Sequence, residues 1–287
     1  MPQSAESLIL RPVTSFLFKG HNGTGKTILS CGKEFRPVYV FNCEGRFESV
    51  PIYYKKLDGH AKDIEFDNFP LGSGYYGIDK RMDDLIKNCP YKTVVMSSLT
   101  SFIYLILKHL IDSKTGTNAQ GREYGMKIGG IPVNELRDFN AEDSAIINDL
   151  ISFFQQLKAQ GVNTIMEAHI TPYEIVSLNE GQRESVTINQ ILTKGKKAPA
   201  SVPGFFNEIY LFHKEYQGIV VGNQSVGYKV NTKGTATDDC KTSWGINSFD
   251  WTGKDGSENI FGQLGGEIKN NSPQDPNAPK RVSMGAK

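Results

Sequence analysis

The pattern with the clearest chemistry lies at residues 20–27, Gly-His-Asn-Gly-Thr-Gly-Lys-Thr, directly after a short apolar run at residues 16–18. Its spacing matches GxxxxGK(S/T), in which a glycine-rich turn points successive backbone N–H groups at phosphate oxygens. A helix that starts within the motif adds its positive N-terminal end to the same site. The alternative is a glycine-rich loop that binds nothing, which the preceding strand and the third glycine disfavour. The pattern therefore predicts a nucleotide-phosphate site.

Two side chains of this loop have separate expected tasks. Lys26 would reach the β- and γ-phosphates, and the hydroxyl of Thr27 would ligate Mg²⁺. The predicted ligands are accordingly ATP and Mg²⁺. The predicted contact residues are Gly20, His21, Asn22, Gly23, Thr24, Gly25, Lys26 and Thr27.

Strands and helices must position this loop, and the apolar pattern predicts where they lie. Short, continuous apolar runs are typical of strands buried on both faces. They occur at residues 16–18, 37–41, 91–96 and 162–168. Segments between them have apolar residues at helical spacing, and strands that alternate with helices imply right-handed crossovers and a mostly parallel sheet flanked by helices. Shorter strand-like pieces are expected at residues 52–54 and 64–66.

The C-terminal half has a different character. From residue 171 the pattern is β-like, so we expect a β-rich C-terminal part attached to the α/β core. After about residue 255 the chain turns polar, with Asn, Pro, Ser and Lys dominating its last stretch. We therefore predict one α/β domain at residues 1–255 and a polar, flexible tail at residues 256–287.

Composition limits the classes of function. The net charge of +1 gives no global attraction to nucleic acid or anionic membrane, so a DNA site would have to be a local patch. The four cysteines are scattered, which indicates reduced thiols in a cytoplasmic protein instead of a disulfide framework or a zinc site. The first residues lack a signal-peptide pattern, and no stretch approaches the roughly 18–20 apolar residues that span a bilayer.

The order of elements, and the residues at the strand ends, resemble those of RecA-like phosphate-loop ATPases over about residues 14–250. The most similar members are phage-encoded proteins associated with single-strand annealing. The resemblance implies that Glu44, just past the second strand, activates the attacking water, and that His169, at the end of the fourth, senses the γ-phosphate. An ordinary surface glutamate and a packed histidine are the alternatives. Glu167, two residues before His169, either supports the ring or faces a helix.

Ser97 departs from this family pattern. Relatives carry an aspartate there that holds the water shell of Mg²⁺, whereas a serine hydroxyl is a poorer partner for a hard cation. Ser97 could still bond a metal-bound water, so we keep Ser97 and Thr27 as the predicted metal site. The departure implies weak hydrolysis, and restoring the aspartate should raise turnover if its absence is limiting. No compensating acid is evident in the sequence.

Two basic segments are candidates for DNA contact. In the family, the loops corresponding to residues 113–134 and 171–203 line the axis of a filament and hold single-stranded DNA. Lysine and arginine attract backbone phosphates, and a tyrosine ring can stack on an unpaired base. The predicted contact residues are Lys114, Arg122, Tyr124, Lys127, Lys194, Lys196 and Lys197. The alternative for each is a solvated surface charge.

Lys241 matches one half of a basic pair that relatives insert into the neighbouring subunit's nucleotide site. Ser243 stands where the pair's arginine would be, so only half of this feature is present. A cation from the next protomer would stabilise charge on the γ-phosphate. If Lys241 acts in trans, the protein must assemble head to tail into a ring or filament. A surface lysine after a strand is the alternative.

Together these patterns predict an ATP- and Mg²⁺-binding protein that promotes annealing or recombination of single-stranded DNA as a homo-oligomer. A single-strand-binding protein is a further implied partner, and the expected location is the cytoplasm, that of the host if the chain is phage-encoded. One alternative is a nucleotide-gated structural or loading factor with little turnover, which Ser97 favours. Another is a phosphate-loop small-molecule kinase, which the single Arg183 at residues 171–203 disfavours because a kinase lid needs several arginines.

Overall fold

The computed structural model describes residues 13–70, 75–114, 127–128, 131–132, 140–179, 182–193, 201–217, 225–235 and 237–263. These residues form a nine-stranded sheet with helices on both faces and two separate two-stranded hairpins. The predicted α/β fold, with a mostly parallel central sheet and a β-rich C-terminal part, is confirmed.

Six neighbouring strands of the central sheet are parallel. In spatial order they are β10 (Glu208–Gln217), β1 (Ser15–Gly20), β7 (Asn163–Ala168), β4 (Thr93–Ser97), β2 (Val38–Asn42) and β3 (Ile64–Asn68). Antiparallel strands β11 (Ser225–Asn231), β12 (Lys241–Thr242) and β13 (Phe249–Asp250) extend the sheet beyond β10. Every residue of β1, β2, β4 and β7 is buried, as expected for strands covered on both faces.

The helices cover the two faces of the sheet with separate apolar clusters. One face packs against α3 (Tyr76–Lys87), α4 (Leu99–Lys114) and α5 (Asn140–Ala159). The other packs against α1 (Lys26–Ser30), α2 (Ser49–Asp58) and α6 (Gly256–Gln263). Because both faces are covered, the polar side chains at the ends of the strands are the groups left to meet a ligand.

Two sequence-based expectations about local structure are wrong. The strand-like piece at residues 52–54 belongs to α2, where Val50 and Tyr54, four residues apart, are both buried on the helix's inner face. The domain also continues past residue 255. Helix α6 packs on a short 3₁₀ turn at Lys33–Phe35, and its Ser257 and Ile260 are fully buried. Residues 264–287 lie outside the described residues, so the tail stays a prediction there.

Both segments with predicted DNA contacts contain regular structure, and the β-like pattern expected from residue 171 is observed. At residues 171–203, strands β8 (Ile170–Asn179) and β9 (Gln182–Ile191) form a long antiparallel hairpin, because β-branched and aromatic residues recur through both runs. In the other segment, α4 continues to Lys114, and two short strands, β5 (Lys127–Ile128) and β6 (Ile131–Pro132), pair with each other.

Further sequence-based expectations concern the cysteines and membrane-spanning helices. All four cysteines are free, as expected from their scattered positions. None of the helices in the described ranges combines the length and the apolar character that a bilayer crossing requires.

Candidate nucleotide-binding site

The site is a cavity of about 690 Å³ at the carboxyl ends of the parallel strands, where open α/β sheets place their ligands. Its lining includes residues 22–27 of the phosphate loop together with Glu44, Glu167 and His169. These three side chains follow or end strands β2 and β7, so the fold assembles groups that lie far apart in the sequence. The volume falls within the range of about 300–1,000 Å³ that is usual for small-molecule sites.

The backbone of the phosphate loop depends on its glycines. Gly23 and Gly25 have φ angles of 68° and 85°, a left-handed conformation that glycine adopts without a steric penalty. A side chain at Gly25 would also collide with the indole ring of Trp251, which is 2% exposed and closes the loop from behind. Inside the loop, the hydroxyl of Thr24 donates a hydrogen bond of 2.8 Å to the carbonyl of His21. The loop is therefore supported by its own hydrogen bond and by the ring of Trp251.

Lys26 is folded against the loop. Its Nζ donates to the carbonyls of Gly20 at 2.9 Å and of His21 at 3.0 Å, and the residue is 5% exposed. Burial lowers the pKa of Lys26, while the charges of Glu167 and Glu44 act in the opposite direction. Both contacts use carbonyl groups and engage no N–H group of the loop. The lysine is thus placed for a phosphate without occupying the amide positions that would bind it.

Behind the loop lies a cluster of three hydroxyls around Glu167. Thr27 Oγ1 and Ser97 Oγ donate to Glu167 Oε2 at 2.6 and 2.9 Å, and Ser30 Oγ donates to Oε1 at 2.5 Å. Thr27 and Ser97 themselves are 3.3 Å apart at their hydroxyl oxygens. Thr27 and Ser97, the two predicted metal residues, are therefore brought together. Glu167, which has no definite role in the sequence pattern, joins them.

This donor set fits a hard divalent cation. Mg²⁺ prefers oxygen ligands and commonly takes one or two protein groups, with substrate phosphates and waters completing its shell. Within the described residues, no group of three or more His, Cys, Asp or Glu side chains could hold a metal alone. A magnesium ion would therefore be held by Thr27 together with the nucleotide, with Ser97 and Glu167 behind it, and would supply positive charge beside the β- and γ-phosphates.

Glu44 and His169, which both line the cavity, form a pair. Nε2 of His169 lies 2.5 Å from Oε1 of Glu44. Burial favours a higher pKa for Glu44, but hydrogen bonds from His169 and Ser98 and the positive charge of Lys26 outweigh it and lower the pKa. The other ring nitrogen of His169, Nδ1, is buried without a hydrogen-bond partner. The predicted water-activating and sensing residues are thus in direct contact.

Lys214 is a cation at the loop that the sequence analysis missed. Gly20 pairs with Phe212 of β10, so Lys214, two residues further along that strand, lies beside the phosphate loop. A Cβ built on Gly23 would be 3.1 Å from its Nζ. The ring of Tyr228, which lines the cavity, lies 5.9 Å from the same Nζ. Only knowledge that β10 pairs with β1 could have revealed this lysine.

Of the remaining predicted residues, only Lys241 has a described side chain, and it lies away from the phosphate loop. Lys241 is exposed and pairs with Ile209, towards the end of β10 opposite the phosphate loop. Its role in a neighbouring subunit stays a prediction. The predicted DNA contacts Arg122, Tyr124, Lys194, Lys196 and Lys197 lie outside the described residues, and the structure describes only the backbone of Lys114 and Lys127.

No family model matches this chain, and no curated protein matches it. Among solved structures, a KaiC-like protein from Pyrococcus horikoshii is similar, with 15% identity, a TM-score of 0.36 and coverage of 76% of each chain. The flagellar accessory protein FlaH from Methanocaldococcus jannaschii is also similar, with 9% identity, a TM-score of 0.40, and coverage of 87% of this chain and 92% of that chain. Similarities this distant carry no functional argument, so function must be argued from the site.

Proposed function

We propose that this chain binds Mg²⁺ and ATP at the phosphate loop, hydrolyses ATP slowly, and uses the nucleotide to control binding of single-stranded DNA during annealing or recombination. The observation that carries the nucleotide part is the single cavity in which Lys26, Thr27, Glu44 and His169 meet. Lys26 and Thr27 begin helix α1 after β1, whereas Glu44 and His169 follow β2 and β7. Each has a task that phosphoryl transfer requires: charge, metal ligation, water activation and detection of the γ-phosphate.

The DNA part of the proposal rests on the sequence. The resemblance to phage-encoded single-strand-annealing proteins and the basic residues of two segments support it. One structural feature is compatible with it. Strand β8 begins at the residue after His169, and the amide of Leu192, which directly follows β9, donates to the carbonyl of His169 at 2.7 Å. The hairpin that belongs to the second basic segment is therefore joined directly to the γ-phosphate side of the cavity.

One observation favours a second candidate, a nucleotide-gated loading factor with little turnover. The carboxylate of Glu44 is bonded to His169 at 2.5 Å and to Ser98, which leaves it less able to accept a proton from water. In such a factor, ATP binding would change the partner of His169 without leading to rapid hydrolysis.

Measurement of phosphate release with ATP, with and without single-stranded oligonucleotide, separates these functions. Release stimulated by the oligonucleotide supports the first proposal, and tight ATP binding without release supports the loading factor. Formation of ADP that requires a small hydroxyl compound, and that yields the phosphate ester of this compound in place of free phosphate, would indicate a kinase and contradict both. A variant with Lys194, Lys196 and Lys197 changed to alanine should lose DNA stimulation but keep ATP binding, whereas a Lys55→Ala control on the exposed side of α2 should keep both.

A further inference from the structure

Glu167 is a buried acid at the floor of the cavity. It is 1% exposed and lies on β7, the strand between the phosphate-loop strand β1 and β4. Within the described residues no lysine or arginine forms an ion pair with it, and the Nζ of Lys26 is directed to the loop carbonyls instead. A buried carboxylate is costly unless cations or hydrogen bonds compensate it, so the contacts of Glu167 beside the phosphate site must supply that compensation.

The contacts of Glu167 concern the residues expected to hold magnesium. Its Oε2 accepts hydrogen bonds from both Thr27 and Ser97, at 2.6 and 2.9 Å. A hydroxyl has one proton and two lone pairs. When Thr27 donates its proton to Glu167, its lone pairs are left free on the oxygen that would ligate the metal, and the rotation of that hydroxyl is fixed.

The strand register explains how this acid comes to lie beside Ser97. Met96 of β4 pairs with Met166 of β7, and Ser97 and Glu167 are the next residues along these parallel strands. On its other side, Glu167 pairs with Phe18 of β1. The glutamate side chain on β7 can therefore bring a carboxylate to the hydroxyl of Thr27, which a shorter aspartate at position 97 would approach from β4.

We propose that Glu167 supplies, from the adjacent strand, the negative charge that Ser97 does not provide to the magnesium site. In this role it is a positioning residue: it orients the Thr27 hydroxyl and balances the charge of the cation. The inference rests on the proposed binding of Mg²⁺ and ATP. If it holds, the serine at position 97 no longer implies weak metal binding. The rival explanation is that Glu167 only ties three hydroxyls together to stabilise the fold.

The test is titration calorimetry of ADP with the full-length chain, in Mg²⁺ and in excess EDTA. For the wild type, Mg²⁺ should tighten ADP binding. In the isosteric variant Glu167→Gln this Mg²⁺-dependent gain should fall by about 10–100-fold, as expected when a partner of a metal ligand is lost, while the affinity in EDTA changes little. Ser30→Ala is the matched control, because it removes a hydrogen bond to the same carboxylate without removing the charge; it should keep the gain.

The double variant Ser97→Asp with Glu167→Ser returns the carboxylate to β4. If Mg²⁺ increases the ADP affinity of this double variant nearly as much as that of the wild type, the inference is supported. The double variant is the decisive test if Glu167→Gln does not fold. The inference would be overturned if Mg²⁺ increased the ADP affinity of Glu167→Gln as much as that of the wild type. It would also be overturned if the double variant folded but its ADP affinity did not respond to Mg²⁺. Both results would leave nucleotide binding itself intact. A wild type that binds no ADP or ATP in either condition would instead overturn the proposed function, and this inference with it.

Discussion

The imidazole of His169 lies 2.5 Å from the carboxylate of Glu44, although 125 positions separate the two residues in the sequence. Each is at the end of its own parallel strand, and β2 and β7 lie on either side of β4 in the sheet. The contact therefore couples the proposed γ-phosphate sensor to the proposed water-activating group. Displacement of His169 by a phosphate would release Glu44 at the same time.

This pair predicts a pH effect that depends on His169. The pKa of Glu44 is lowered below its ordinary value of 4.5 in spite of burial, because His169 and Ser98 hydrogen-bond to its ionised form. A lowered pKa means that the ionised carboxylate stabilises the fold above pH 4.5, and that this contribution is lost as the pH falls through the folded-state pKa. In His169→Ala the pKa of Glu44 should rise, which carbon-detected NMR titration of the carboxyl group would measure. An unchanged pKa would contradict the contact.

Lys26→Ala should remove most of the affinity for ATP. The variant loses the charged donor that would bind the β- and γ-phosphates, a contribution of about 1.5–3 kcal/mol or roughly 10–150-fold in affinity. Calorimetry with ATP gives the affinity directly, with Lys55→Ala on an exposed helix position as the control. Equal ATP affinity in wild type and Lys26→Ala would show that the phosphates bind elsewhere.

Ser97→Asp alone should destabilise the protein and weaken Mg²⁺-dependent binding. The sequence suggested the opposite, that an aspartate would restore turnover, but Ser97 Oγ lies 2.9 Å from a carboxylate that is already present. Two adjacent buried carboxylates repel each other, and one must take up a proton or move. We expect a loss of about 3 kcal/mol in the free energy of unfolding, measured with urea. A stable variant with faster phosphate release would contradict this expectation.

Gly25→Ala should be far more harmful than Gly45→Ala. Both glycines have positive φ angles, 85° and 68°, so alanine at either position costs about 1–2 kcal/mol in backbone strain. Only at Gly25 does the added carbon also collide with the ring of Trp251, whereas nothing lies within 4 Å of a Cβ at Gly45. Thermal unfolding and ATP titration of the two variants separate the collision from the strain. Equal losses would mean that the indole does not support the loop.

Ile260→Ala tests whether helix α6 belongs to the domain. Ile260 is 0% exposed within the apolar cluster that also contains Leu29 and Phe35. Its truncation should lower the free energy of unfolding by about 2–5 kcal/mol. The exposed Glu258→Gln on the same helix should change it by no more than about 0.5 kcal/mol. Similar values for both variants would restore residue 255 as the domain boundary.

The phosphate loop and the strand ends at Glu44, Ser97 and His169 could be identified from the sequence because each follows a continuous apolar run. The partners of these residues could not. Glu167 has no local signal, since an acid inside an apolar strand is equally compatible with a surface contact. Its role emerges only from the pairing of β7 with both β1 and β4. Helix α6 was missed for a related reason: its three buried residues, Gly256, Ser257 and Ile260, occupy a polar segment without strong periodicity.

Residues near the C-terminal end of the described chain pack against the phosphate loop and the segment that follows it. Trp251 packs against Gly25, while Asp255 and Ser257 accept hydrogen bonds from the amides of Lys33 and Glu34, just beyond helix α1. During translation, the loop is made more than two hundred residues before these supports. A nascent chain therefore cannot pack these supports around its phosphate loop until residue 257 has left the ribosome.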